Sequence, residues 1–350
     1  MDVDWRTTLV GFAAALVVLG LLVGLVGVGR VVDALSRADP VVLVGVLAAA
    51  TVWMTAWGLS LRTVLGILGS AIPARVAVLV FTAATFANNV TPFGQAGGEP
   101  VTALFISRTA DTEYETGLAA IASVDSLNFV PSILLALVGI GYFSATVAFG
   151  RRLQYAAVAV AGLAVGIPLV GIYAWNNRYR VEATVVRLLT PIIRWFGRVL
   201  PRRDPPDVHV IEARIERFFH AIERVTGDRR RLAMALGFSA LGWLCLSGSL
   251  WLSLYALGYP TPFAAMLVVV PIGAIAGITP LPGGLGGVEA VLVALLVPTT
   301  GVTVAAATAA VVIHRTATYW LPVLVGGGTA AAIGAGGILP TTGGRTREDD

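Results

Sequence analysis

Pro280-Leu281-Pro282-Gly283-Gly284-Leu285-Gly286-Gly287-Val288-Glu289 lies inside an apolar segment at 263–297. Two prolines and four glycines in ten residues interrupt a helix, because proline lacks the N–H and glycine costs about 1 kcal/mol against alanine. Unpaired backbone groups are not tolerated against lipid, so such a break is buried in protein or lines a wet cavity. Glu289 opens the helical piece that follows. A broken helix with a carboxylate at bilayer depth points to a functional site.

A second stretch has the same grammar. Asn88-Asn89-Val90-Thr91-Pro92-Phe93-Gly94-Gln95-Ala96-Gly97-Gly98-Glu99-Pro100 interrupts the apolar run at 76–106. Glu99 and Pro100 are expected to start the next half-helix, with Pro100 at the first helical position, where its missing N–H costs nothing. One such break in each half of the chain is the sequence sign of a transporter-like fold built from repeats.

Composition sets the class. Hydrophobic residues make up 57% and charged residues 13% of 350, against about 25% charged in an ordinary soluble domain. The chain therefore reads as an all-α polytopic membrane protein, a single integral domain at 1–340 with halves at 1–150 and 154–340 and a disordered tail at 341–350. The single cysteine, Cys245, and three scattered histidines leave no disulfide framework and no metal cluster. All 24 basic residues are arginine.

Full spans are expected at 9–28, 41–61, 117–141, 154–174, 232–257 and 301–336, each long enough to cross about 30 Å of hydrocarbon. With the two broken segments this makes about six spans plus two re-entrant hairpins. Loops are expected at 30–39 and 62–75. Trp53 and Trp57 lie one turn apart and read as packing aromatics. Asp125 and Asn128 share a helix face, with Asp125 placed near one end as a cap or pairing residue. In the last segment, which is too long for one straight span, Pro322 and Gly326 to Gly328 suggest a kink or a second short piece.

The one sizeable polar region, 175–231, is a basic connector. Two amphipathic helices are expected there, at 185–200 and 210–225; Ile211, Ile215, Phe218, Phe219 and Ile222 form an apolar stripe on the second. A membrane-surface pair and a connector lying against the end of the bundle both fit. Charge interleaved with apolar anchors excludes nucleic-acid binding. If both broken segments return to the side they entered, a cytoplasmic N-terminus puts nineteen arginines inside and four outside, as the positive-inside rule favours. The two hairpins then open from opposite faces and their tips meet near the midplane as an inverted repeat.

Each tip presents the N-terminus of a half-helix, which carries roughly half a positive charge and suits a phosphate or carboxylate. Gly283, Gly284 and Gly286, beside Pro282, let a ligand approach the backbone. Glu289 and Glu99 either cap their half-helices or serve as proton or headgroup sites. A charge at the bilayer centre costs at least about 2.5–3.5 kcal/mol, so capping alone is a poor reason to keep one. Arg315 is the natural counter-charge, able to pair with Glu289 or to hold a lipid phosphate through its planar fork. His314 reads as a packing residue. Asn88, Asn89 and Pro92 line the first tip or end its helix. No nucleotide loop, nucleophile triad or spaced acidic pair is present, so neither enzyme chemistry nor a cofactor is expected.

These residues resemble the flippase-like transmembrane family that forms the membrane region of lysylphosphatidylglycerol synthases. The resemblance runs over nearly the whole chain and rests on 280–289 and on His314-Arg315-Thr316-Ala317-Thr318-Tyr319-Trp320-Leu321-Pro322. In the first tip Asn88, Asn89, Pro92, Gly98 and Glu99 fit. Gln95 stands near a usual basic position, Thr102 replaces a later arginine, and Asp125-Ser126 stands where a Glu-Arg pair is common. The synthases' aminoacyl-transferase domain has no counterpart here, so lipid aminoacylation is not implied. The resemblance implies translocation of a phospholipid or polyprenyl-phosphate-linked lipid across the cell membrane. Membrane lipids are then the partners, and any energy comes from an ion gradient. Alternative readings are an ion-coupled solute transporter and a non-catalytic partner of a lipid- or glycan-modifying enzyme.

Overall fold

The computed structural model describes residues 28–91, 95–146, 208–278 and 281–334, with isolated positions between 162 and 187. Isolated positions aside, the spans expected at 9–28 and 154–174, the connector helix at 185–200, Pro92 and the tail lie outside the described residues. The described chain is helical, without strands. Its helices are α1 Val28–Ser36, α2 Pro40–Ile67, α3 Ala74–Val90, α4 Gln95–Ala110, α5 Tyr114–Thr146, α6 Val208–Gly227, α7 Arg229–Ala256, α8 Phe263–Ile275, α9 Gly287–Thr300, α10 Val304–Arg315 and α11 Leu321–Gly334. A π-turn, Thr316–Trp320, joins α10 to α11 without a break.

Four stretches are long and apolar enough to cross a membrane: Pro40–Ile67, Tyr114–Phe143, Arg229–Ala256 and Pro282–Thr300. The last includes the non-helical Gly283; its continuous part, α9, has 14 residues and covers only about 21 Å. Exposed Val41, Val44 and Leu47 on α2 and Phe129, Leu134 and Val138 on α5 give these helices apolar outer faces, as a lipid solvent requires. The protein is an all-α polytopic membrane protein.

Lipid supplies no hydrophobic force between helices, so close backbone approach has to. The α2–α7 pair shows how. Trp57 crosses from α2 with its ring centroid 5.6 Å from that of Trp243, and its Nε1 donates to the Ser239 carbonyl at 3.1 Å. Gly242 makes room for it, since a Cβ there would collide with the indole. Asn128 ties α5 to the same place: its carbonyl accepts from Trp243 Nε1 at 2.9 Å and its Oδ1 from Ser239 Oγ at 2.5 Å. Trp53 and Trp57 are thus packing residues, as their spacing suggested.

The element order repeats. A long helix (α2, then α7) precedes a broken pair (α3/α4, then α8/α9), which precedes another long helical segment (α5, then α10–α11). The contacts repeat too, for α5 packs on α8 as α11 packs on α3. Gly139 lies against Ala264 and Val268 in the first contact, and Gly326 against Thr82 and Phe86 in the second.

Several boundaries differ from the sequence reading. The expected loop at 30–39 contains α1, whose apolar positions 28, 31, 32 and 35 follow a helical period. Arg62 lies within α2, which continues to Ile67 before Gly69 turns the chain at φ +87°. Asp125 is not near an end but about a third of the way along the 33-residue α5. In the last segment the irregularity falls on the five residues after Arg315, not at Pro322 or the glycine run. The second connector helix is present as α6. Phe218 and Ile222 pack on the core and Ala221 and Val225 are buried, so this part of the connector lies against the bundle.

Candidate functional site at the meeting of two broken helices

The second break is built by its glycines. Gly283, Gly284 and Gly286 have φ of +55°, +65° and +83°, a region that side-chain-bearing residues avoid. The chain leaves α8 through a 3-10 turn at Ala276–Ile278, forms another at Pro282–Gly284, and enters α9 at Gly287. A Cβ on Gly284 would stand 2.8 Å from Gly277 Cα and from Val288 Cγ2, and one on Gly283 would stand 3.0 Å from Asn89 Oδ1. The space these side chains would fill is therefore occupied by the protein's own backbone, Val288 and Asn89. Pro282 and Gly286 are buried in the same turn.

Glu289 occupies the first turn of α9 and is 2% exposed. Its two oxygens have different partners. Oε2 accepts from the Gly286 backbone N–H at 2.5 Å, satisfying one of the N–H groups a helix start leaves free. Oε1 accepts from Arg315 Nε at 2.6 Å. The cap read as one possibility for Glu289 and the pairing read as one possibility for Arg315 are both present. A second Arg315 nitrogen, Nη2, donates to the Gly283 carbonyl at 3.1 Å. The guanidinium lies 4.9 Å from the Tyr319 ring centroid, a cation–π contact. Two of the five guanidinium N–H groups are thus engaged within the described residues. His314, next to Arg315, is 5% exposed and packs against α7, its Nδ1 2.9 Å from Ser249 Oγ.

The first break joins this centre through Asn89. Tyr319, fully buried, donates its hydroxyl to the Asn89 carbonyl at 3.0 Å, and Asn89 Nδ2 reaches the Tyr319 carbonyl at 3.5 Å. Arg315, the last residue of α10, and Tyr319, in the π-turn that follows it, reach the two breaks from the same segment. Such turns widen a helix by one residue and recur at functional sites.

At the first break the helix starts earlier than expected. α4 begins at Gln95, so Glu99 is in its second turn and Pro100 is inside the helix. In this extra turn Gly98 lets α4 lie directly against Asn88, with which any Cβ would collide. Asn88 Oδ1 is buried there without a hydrogen-bond partner. Pro100 removes one helical hydrogen bond. Glu99 faces Asp125 of α5, carboxyl to carboxyl within hydrogen-bonding reach. Asp125 Oδ2 is buried without a partner, as are Thr102 Oγ1 and Ser123 Oγ on the same two helices. No three His, Cys, Asp or Glu side chains cluster as metal ligands among the described residues.

Sequence reasoning picked Glu289, Arg315, Asn89 and Gly283, which the fold brings together, and Asn88 and Glu99, which flank the first break. It left Tyr319 out of the site, although the four-residue step from Arg315 signals a shared helix face. It also left out Asp125 as the partner of Glu99, since a contact between two helices has no signature in either.

The fold and this centre define a polytopic membrane protein organised around two interrupted helices and a partly buried ion pair. Residues 8–326 match the family described as the lysylphosphatidylglycerol synthase TM region, and the chain belongs to that family. It is 26% identical to a UPF0104 membrane protein of Methanothermobacter thermautotrophicus, with 92% of each chain covered. A second such protein of that organism is 23% identical, covering 87% of this chain and 89% of the relative. UPF0104 membrane protein PH1989 of Pyrococcus horikoshii is 24% identical over 69% and 72%.

Proposed function

We propose that this protein translocates a phospholipid or a polyprenyl-phosphate-linked lipid between the leaflets of the cell membrane, without covalent chemistry. The observation that carries this reading is the Arg315 centre. A guanidinium placed among the interrupted helices, beside the N-terminus of α9, keeps N–H groups for a phosphate after binding Glu289 and Gly283. Glu289 holds the arginine in place and lowers the cost of keeping it in the apolar interior.

On this reading the two broken pairs are re-entrant hairpins opening to opposite faces from an inverted repeat, with the N-terminus in the cytoplasm. The repeated element order and the matched α5–α8 and α11–α3 contacts favour it. Alternating access then moves one half against the other around the junction of Asn89, Gly283 and Tyr319. Glu289 is already paired, so the coupling of transport to a proton gradient falls to Glu99 and Asp125.

The test is reconstitution into liposomes carrying headgroup-labelled phospholipid or polyprenyl phosphate, read by leaflet-selective quenching. Protein-dependent exchange of either lipid supports the proposal. Folded protein that exchanges neither overturns it and favours a solute carrier or an enzyme's membrane partner.

A further inference from the structure

We propose that the arginine-rich end of the α2–α7 pair holds a binding site for the phosphate headgroup of an anionic phospholipid, separate from the centre at Arg315. A cavity of about 250 Å³ opens there, lined by Arg62, Gly66 and Ala71 from α2 and the turn after it, and by Arg230, Arg231 and Met234 from α7. It has the room of roughly eight water molecules.

Two of its three arginines are held by the backbone. Arg62 Nε donates to the Ile72 carbonyl at 3.1 Å, and Arg231 Nη1 to the Gly66 carbonyl at 2.7 Å. Carbonyls orient a guanidinium without neutralising it. Asp228, 3.5 Å from Arg231 Nε, offsets one charge. Among the described residues no carboxylate pairs with Arg62 or Arg230, and Arg230 makes no hydrogen bond. The open rim of this largely apolar cavity therefore carries two uncompensated positive charges and planar donors suited to a phosphate.

Its position selects a lipid. Arg62 is five residues before the end of α2 at Ile67 and Arg230 is the second residue of α7. The charges thus sit within about 8 Å of one end of two spanning helices, where headgroups lie. Met234 in the cavity wall is 48% exposed, and Leu241 and Leu244 continue an exposed apolar face along α7. A phosphodiester held by the arginines has its acyl chains lying along that face. Basic pockets between spanning helices bind anionic headgroups in this way.

The test uses the full chain purified in zwitterionic detergent, with retained lipid counted by native mass spectrometry and unfolding temperature measured alongside. Added phosphatidylglycerol is expected to be retained and to raise the unfolding temperature, whereas phosphatidylcholine and inorganic phosphate do neither. Arg230→Gln leaves every hydrogen bond described here intact and is expected to weaken retention about fivefold. Arg62→Gln is expected to do the same, with some loss of stability through the Ile72 contact. Arg224→Gln, on the exposed side of α6, is expected to change nothing. Equal retention of phosphatidylcholine, or full retention by Arg230→Gln, would overturn the proposal. Inorganic phosphate reproducing the whole shift would make this an anion site and overturn its assignment to lipid.

Discussion

The Tyr319 hydroxyl donates to the Asn89 carbonyl at 3.0 Å, joining positions 230 residues apart. This bond links the π-turn after Arg315 to the last turn of the helix before the first break. It makes one centre from the two interruptions.

Tyr319→Phe removes that donor and takes its partner from the partly buried Asn89 carbonyl. The cost is about 1–3 kcal/mol, seen as a lower unfolding temperature in detergent. The ring contact with Arg315 stays, so the fold is retained.

The Glu289–Arg315 pair makes a sharper prediction. Arg315→Ala leaves a buried carboxylate without its counter-charge and costs about 3–5 kcal/mol. Adding Glu289→Gln to it removes the orphaned charge and is expected to restore much of the stability in the same melting experiment. Lipid exchange is not expected to return with it, since the group proposed to bind the phosphate is gone. Recovery of both would make the pair purely structural.

Helix packing at the first hairpin is tested by Gly98→Ala. The added methyl meets Asn88, and such overpacking costs about 1–3 kcal/mol. Gly328→Ala is the control: nothing lies within 4 Å of its Cβ position, and in a helix the change is neutral or stabilising by up to about 1 kcal/mol. Thermal melts of the two variants should move in opposite directions or differ clearly in size.

Glu99 and Asp125 face each other without a basic residue between them. The elements packed on α4 offer Arg75 at the start of α3, Tyr114 and Glu115 at the start of α5 and Tyr142 near its end; α11 and the turn at Ala276–Ile278 carry no titratable group. If this carboxyl pair carries the coupling proton, Glu99→Gln and Asp125→Asn each remove the response of lipid exchange to an imposed pH gradient. The basal exchange rate changes less. An unaltered gradient response in both variants would place coupling elsewhere.

What could be read from the sequence follows from physics that is local to the chain. The breaks at 280–289 and 88–100 were legible because proline and glycine act on their own backbone. Trp57 was legible as a packing residue because a tryptophan one turn from another, in an apolar helix, has few other uses. Arg315 stood out because charge inside an apolar run is expensive. The start of α4 was not legible: Gln95 to Gly98 read as a break by their glycines, and the close packing of Gly98 on Asn88 is a contact between helices that the local sequence does not show. The Glu99–Asp125 contact depends on how α4 and α5 lie together. The extent of α2 past Arg62 was also hidden, since an arginine near a helix end reads as a loop until its side chain is seen donating to the Ile72 carbonyl.

The central claim is that lipid crosses at Arg315. Its most direct test compares lipid exchange in liposomes for the unaltered chain, Tyr319→Phe and Arg315→Gln, each checked for folding by its melt. The account predicts exchange that survives Tyr319→Phe and falls at least a hundredfold in Arg315→Gln, about 3 kcal/mol of lost phosphate binding. Exchange by folded Arg315→Gln at the unaltered rate would contradict it.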